Sequence, residues 1–312
     1  MFSSAEGAIN YYCAGDIFKY RFQIYVGFFI TPMSINYDLH THSTASDGTL
    51  SPNELIQRAV SVEIDVLALT DHDTLDGLAE AQATADQHDI IFVPGVEISV
   101  TWHNTTIHVV GLHVNHTSQT LQNYLNGLHG FRRWRAQEIG HRLAKHGITN
   151  AFEGAEALSN GKLIGRSHFA RFLVQQGFAS NEKQVFKHFL VPGKPGHVPS
   201  QWAKLEDAIA WILQAGGQAI LAHPGRYKIN QQVLRQLVGL FKEMGGCALE
   251  VISSSHTWDK QIIMARLANE FKLLSSVGSD FHNPQNAWMT FGSLPALPAG
   301  CIPIWQDWGY TK

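Results

Sequence analysis

The sequence predicts an α/β fold, a β/α barrel interrupted by a small helical insertion. Three observations predict it. From Ile35 onward, short apolar runs alternate with amphipathic stretches. Between about residues 117 and 200 that alternation stops and helical patterns alone remain. One apolar run after another is followed by His, Asp or Glu. Strand and helix in alternation indicate parallel β/α architecture, and in a barrel the carboxyl ends of the strands converge on one face.

In chain order, Lys19 and Arg21 precede a short apolar run at residues 24–30. It is too short to span a bilayer, and no small-residue cleavage site follows it. Residues 1–32 therefore read as an N-terminal appendage outside the fold. Residues 33–116 and 201–312 read as the barrel, and 117–200 as the helical insertion that shapes the substrate site. Apolar runs end at Asp38-Leu39-His40, at Leu69-Thr70, at Phe92-Val93, at Leu221-Ala222, at Val251-Ile252 and at Ser276-Val277. The first helix has a clear start, because Ser51-Pro52-Asn53-Glu54 offers Ser at the N-cap, Pro at the first position and Glu at the third, a capping box. The insertion carries helical patterns over residues 121–146, 167–176 and 182–189. A Pro/Gly-rich stretch at 191–199 then returns the chain to the barrel near Gln201.

Composition excludes several classes. With 45% apolar and 16% charged residues in 312, the chain is globular rather than disordered. Cys13, Cys247 and Cys301 form no CxxC pair, so neither a disulfide framework nor a thiolate zinc site is expected, and a cytoplasmic location is the natural one. A net charge of −3 argues against bulk electrostatic capture of DNA. Bound divalent cations would reverse that sign locally. No membrane association and no obligate protein partner is expected.

The chemistry lies at the strand ends. His40 and His42, His72, Glu97, His223, and Asp280 with His282 each follow an apolar run, and His108 lies within one. Residues two apart on an extended segment point the same way, which suits both His40-x-His42 and Asp280-x-His282. One histidine at a strand end is commonly a hydrogen-bonded structural residue, and one Asp before a helix is commonly a cap. Together with Asp47, so many would be costly to bury in one place without cations to compensate them.

Five segments carry a family resemblance: residues 38–48 (Asp38-Leu39-His40-Thr41-His42 through Asp47-Gly48), Thr70-Asp71-His72-Asp73, Pro94-Gly95-Val96-Glu97, Ala222-His223-Pro224-Gly225-Arg226-Tyr227 and Gly278-Ser279-Asp280-Phe281-His282. They resemble the PHP (polymerase and histidinol phosphatase) family. Gly165-Arg166-Ser167-His168 and Gly193-Lys194-Pro195-Gly196 look like its branch of bacterial 5′→3′ exoribonucleases and 3′,5′-nucleotide bisphosphate phosphatases. The resemblance implies a PHP-type distorted (β/α)7 barrel with two to three divalent ions. His40, His42, Glu97 and Asp280 would hold one. Glu97 would bridge to a second on His108 and His223, and Asp47, His72 and His282 would hold a third. An oxygen ligand at Asp47, where some relatives carry His, favours Mn²⁺, with Mg²⁺, Fe²⁺ or Zn²⁺ as alternatives.

The implied reaction is hydrolysis of nucleotide phosphate esters by a metal-bridging hydroxide held at Glu97, Asp280 and His223. Its substrate would be a nucleotide or short RNA. Arg166, His168, Lys194, Arg226 and Tyr227 are the expected substrate contacts, since guanidinium forks and ammonium charges suit phosphate. Arg171 and Trp202 are weaker candidates, because a helical Arg is often solvated and a Trp often packs in a core. Two other readings stay open. One is a phosphatase of a small metabolite of the histidinol phosphate type, and the other a catalytically silent, metal-stabilised interaction module.

Overall fold

The computed structural model describes residues 35–285 and 291–310. The expected appendage at 1–32 lies outside the described residues. Within them, seven strands follow one another around a single sheet in chain order. They are β1 (Tyr37–Asp38), β2 (Val66–Leu69), β3 (Ile91–Trp102), β4 (Thr105–Leu112), β5 (Gln218–Leu221), β6 (Ala248–Ser253) and β7 (Leu274–Gly278). The amide of Leu39 donates to the Val277 carbonyl at 3.1 Å and Thr41 bridges to Phe281, so the last strand returns to the first. The sheet thereby curls into a nearly closed barrel.

The strand directions correct a uniformly parallel reading. β1, β2 and β3 run parallel, as do β5, β6 and β7, but β4 is antiparallel to both its neighbours. The reason is the link between β3 and β4, only His103 and Asn104, with φ of 43° and 61°. Two residues with positive φ make a hairpin of the primed type, whereas a parallel crossover needs a dozen residues or more.

Five helices, together with Leu121, Leu125 and Leu128 from the first part of the helix that follows β4, bury apolar faces in the core that the sheet shares. The five are α1 (Pro52–Ser61), α2 (Leu78–Ala85), and, numbered after the helices described next, α7 (Leu205–Gln214), α8 (Gln231–Glu243) and α9 (Trp258–Glu270). The capping box at α1 forms as expected. Ser51 Oγ accepts the Glu54 amide at 3.2 Å, and Glu54 Oε2 accepts the Ser51 amide at 2.7 Å.

Between β4 and β5 the chain is helical: α3 (Gln119–Ala144), α4 (Ala151–Leu158), α5 (Arg166–Gln175) and α6 (Glu182–Val185), the last running into a π-turn at Phe186–Leu190. The sequence reading did not anticipate α4. It is only eight residues long; its start signals, Asn150 at the N-cap and Glu153 three residues on, precede a short run, and the Asn150 side chain makes no cap. These helices enclose a second apolar cluster around Ile139, Leu143, Phe169, Leu173, Val185 and Leu190. Helices and barrel nevertheless belong to one compact unit. No helix among the described residues is long and apolar enough to cross a membrane.

Candidate metal centre and its cavity

The barrel closure brings the two x-His motifs side by side. The His42 amide donates to the Phe281 carbonyl at 2.9 Å and the Asp280 amide to the His40 carbonyl at 2.9 Å. Gly278 permits the approach, for a Cβ there would lie 2.3 Å from the His40 Cβ. His72 is bridged to Glu97, with the Glu97 amide on the Asp71 carbonyl at 3.1 Å. On the β3–β4 hairpin Glu97 faces Val110 and Ser99 faces His108, which makes Glu97 and His108 diagonal neighbours on one face. Asp73, His223 and Asp280 have φ of 51°, 30° and 55°. Left-handed backbone in non-glycine residues costs energy and collects where side chains must be aimed.

All nine expected ligand residues meet at this end of the barrel. Glu97 is at the centre. Its Oε1 lies 2.7 Å from His108 Nδ1, 3.0 Å from His223 Nε2 and 3.3 Å from His40 Nε2. Its Oε2 lies 2.7 Å from His72 Nδ1 and 3.4 Å from His42 Nε2. Asp280 Oδ1 is 3.4 Å from His42 Nε2 and 3.7 Å from His40 Nε2, and Asp47 Oδ1 is 3.2 Å from His282 Nε2. The donors cluster as His42, Asp47, His72 and His282; as His40, His42 and Glu97; as His40, His223 and Asp280; and as His72, Glu97 and His108. His72 thus also sits with Glu97 and His108, and His223 with His40 and Asp280, beyond the threefold division that the resemblance implies.

The donor set fits divalent cations on two observations. Bonds of about 2.1 Å at tetrahedral or octahedral angles place two donors of one ion roughly 3.0–3.5 Å apart, and most of the separations above fall in that range. Further, His40 Nε2, both ring nitrogens of His42, Asp47 Oδ1, His72 Nδ1, Glu97 Oε2 and His223 Nδ1 are buried without a hydrogen bond in good geometry. Buried polar atoms are normally satisfied, and a cation satisfies acceptors of this kind.

The charges favour the same conclusion. Burial alone would push Glu97 up, but His108, His72 and His40 hold it well below the usual carboxylate range. Asp47 is likewise depressed against burial by His282 and His72, and Asp280 by Arg226 and His282. Burial holds His42 at about 3 and His108 at about 4. Against burial, these carboxylates pull His40, His72 and His282 upward, the last to about 9. Three carboxylates held ionised in one place attract positive charge, whether protons on those imidazoles or cations.

Neighbouring residues aim these ligands. Glu250 Oε2 accepts from His40 Nδ1 at 2.8 Å and from the His223 amide at 3.2 Å. With the Nδ1 proton on that carboxylate, Nε2 of His40 is left to face the cluster. Asp71 accepts from the Ser43 amide at 2.8 Å and from the hydroxyls of Ser43 and Ser46 at 2.6 and 2.5 Å, which fixes the loop carrying Asp47. The sequence reading assigned no role to Glu250 or Asp71. A charged residue inside the apolar run Leu249-Glu250-Val251-Ile252 was the available signal.

The cavity above the cluster measures about 280 Å³ and has two walls. One carries Asp47, His72, His108, His223, Asp280 and His282; the other carries Arg132, Arg135, Arg166, Arg171, Trp202 and Phe186. Arg226 also lines the cavity and pairs with Asp280. Arg132 is buried, pairs with Asp73 and donates to Ser99 Oγ at 2.9 Å. Arg135 donates to the Val198 carbonyl at 3.3 Å, and burial together with Arg166 and Arg132 pushes it down to about 9. Arg166 makes no hydrogen bond or ion pair among the described residues and lies over the Phe186 ring at 5.6 Å. Arg171 donates to the Asp47 carbonyl at 2.5 Å, and Ser167 donates to the Asp47 carboxylate.

Three of the expected substrate contacts are not among the residues lining the cavity. His168 is buried, with Nδ1 accepting the Gly165 amide at 3.0 Å as part of the α5 cap. The Tyr227 hydroxyl donates to the Ala222 carbonyl at 2.7 Å and accepts the His108 amide at 3.0 Å. Lys194 is exposed on its turn. Arg132 and Arg135, to which the sequence reading gave no role, stand at the cavity instead.

The match to known proteins follows this geometry. Residues 38–223 match the PHP domain. The chain belongs to the PHP domain family. Similar proteins include a 5′-3′ exoribonuclease of Haemophilus influenzae, 45% identical over 274 residues, covering 88% of this chain and 99% of the relative. A 3′,5′-nucleoside bisphosphate phosphatase of Chromobacterium violaceum is 44% identical over 273 residues, covering 87% of this chain and 96% of the relative. A solved structure from Chromobacterium violaceum, described as an amidohydrolase with bound sulfate and no metal, superposes with a TM-score of 0.83 at 44% identity. It covers 86% of this chain and 94% of its own. The PHP domain match ends at His223, so Asp280 and His282 lie beyond it. They enter the cluster through the closure of β7 on β1.

Proposed function

We propose that this chain is a divalent-metal-dependent phosphoesterase acting on nucleotides, removing a phosphate from 3′,5′-bisphosphonucleotides and releasing 5′ nucleotides from short RNA. The observation that carries the reading is the single cavity with a His/Asp/Glu cluster on one wall and guanidinium groups on the other. The names of the two similar proteins agree with it. His40, His42, Glu97 and Asp280, then Glu97, His108 and His223, then Asp47, His72 and His282 would hold two to three ions, of which Mn²⁺ suits the mixed oxygen and nitrogen set. When bound, such ions supply Lewis acidity and a lowered pKa of water at phosphorus.

The chain's own groups do the rest. Arg226, held against Asp280, lies where the phosphate entering the cluster needs its charge balanced. Arg166 and Arg135, without carboxylate ion pairs among the described residues, suit a second phosphate on the same substrate. The helices between β4 and β5 thus shape the substrate site. Outside the ligand cluster, the only carboxylate lining the cavity among the described residues is Glu182, so the wall favours an anionic substrate over an amine such as histidinol phosphate.

The test is a substrate panel with purified protein and Mn²⁺: 3′,5′-bisphosphoadenosine, a 5′-phosphorylated oligoribonucleotide and histidinol phosphate. Turnover of the first two with little on the third is expected. Preference for histidinol phosphate would overturn the nucleotide reading.

A further inference from the structure

An aromatic row leads out of the cavity along α3. Trp202 lines the cavity, with the Arg132 guanidinium 4.8 Å and the Arg135 guanidinium 5.4 Å from its ring centroid. Phe131 packs edge-on to Trp202, centroids 4.9 Å apart at 89°. Trp134 follows 5.5 Å from Phe131, tilted by 31°, and is 53% exposed. Phe131 and Trp134 are three apart on a helix and so share a face. Arg132 and Arg135 are interleaved with them and reach into the cavity. The row therefore begins at a surface where a nucleotide would sit and ends in solvent.

An indole this exposed gains little for the fold, since about half of its surface stays in water. Nucleic-acid chemistry gives such a surface a use. Every base has a π-face, so rings beside a cationic groove hold single strands without sequence preference. Guanidinium groups stacked on the first ring add cation–π attraction and phosphate contacts. A mononucleotide bound in the cavity has no need of Trp134, but an RNA chain continuing from it does.

We propose that Trp202, Phe131 and Trp134 form a stacking track for single-stranded RNA, with the nucleotide being cleaved in the cavity and the following bases lying outward toward Trp134. The proposal rests on the nucleotide phosphoesterase reading above and adds to it the site that distinguishes a polynucleotide from a mononucleotide.

The test compares the full chain with its Trp134→Ala and Trp134→Phe variants, in Mn²⁺, on a 5′-phosphorylated pentaribonucleotide and on 3′,5′-bisphosphoadenosine. Trp134→Ala should raise KM for the pentanucleotide roughly five- to thirtyfold. Its kcat/KM on the bisphosphonucleotide should stay within about twofold, and Trp134→Phe should recover most of the loss. Unchanged pentanucleotide kinetics in Trp134→Ala would overturn the track while leaving the phosphoesterase reading intact. An equal loss on both substrates would also overturn it. If the parent protein hydrolyses neither substrate, the functional reading itself fails and the track with it.

Discussion

The two walls of the cavity are built by different rules. On the barrel wall the donors sit within strands, as Glu97 and His108 do, or in the segments that follow them, buried or half-buried, and several are placed by backbone hydrogen bonds such as Asp280 to His40 and His42 to Phe281. On the helical wall, long arginines extend from α3 and α5; Arg132 is held by Asp73, but Arg135 ends on the Val198 carbonyl, and Arg166 on no hydrogen-bonding partner among the described residues. The difference shows how reaction and recognition divide the work. Donors shared by cations must hold their spacing to a few tenths of an ångström, which neighbouring strands enforce. Phosphate recognition tolerates side chains that move, because the guanidinium fork carries its own geometry.

Substitutions can break that division or sharpen it. The largest effect belongs to Glu97→Gln. Five histidines lie within 3.4 Å of this carboxylate, so its loss should remove detectable turnover on every phosphate ester. Full activity on p-nitrophenyl phosphate would break the assignment of chemistry to the barrel wall. Next comes Glu250→Gln, which leaves every donor in place but removes the carboxylate that orients His40. Losses at such supporting positions run about ten- to a hundredfold in metal affinity or activity. They should be equal for p-nitrophenyl phosphate and for a bisphosphonucleotide.

Two arginines separate the walls further. Arg166→Ala should lower kcat/KM on 3′,5′-bisphosphoadenosine about ten- to a hundredfold, the range for losing a charge-assisted contact, and leave p-nitrophenyl phosphate nearly untouched. Arg226→Ala should lower both, because Arg226 pairs with Asp280 at the cluster itself. If the two variants behave alike, the walls are not distinct. The smallest effect is expected for Lys194→Ala. An exposed side chain away from the cavity should change stability by no more than about 0.5 kcal/mol, with kinetics unaltered on both substrates.

Much of the barrel was legible in the sequence because polar residues interrupt apolar runs at regular places. His40, His42, His72, Glu97, His223 and Asp280 announce themselves in this way, and the capping box at Ser51 fixes a helix start. The antiparallel β4 was harder. An apolar alternation reveals a strand but not its direction, and the decisive clue was the two-residue link His103-Asn104. Glu250 was hidden because its partner His40 is distant in sequence and meets it only when the barrel closes. His168 and Tyr227 misled for the opposite reason. Their type suits a ligand site, yet His168 Nδ1 accepts the Gly165 amide and the Tyr227 hydroxyl is taken by the backbone of Ala222 and His108. Arg132 and Arg135 stand in no motif, and only tertiary packing turns them toward the cavity.

The central claim is that the strand ends form a multinuclear cation site with Glu97 shared between ions. Elemental analysis of the purified full chain after loading with Mn²⁺ and removal of excess metal tests it directly. The expected result is two to three ions per chain, with at least one lost in Glu97→Gln at unchanged folding by circular dichroism. A stoichiometry of one or none, or the same count in both proteins, would contradict it.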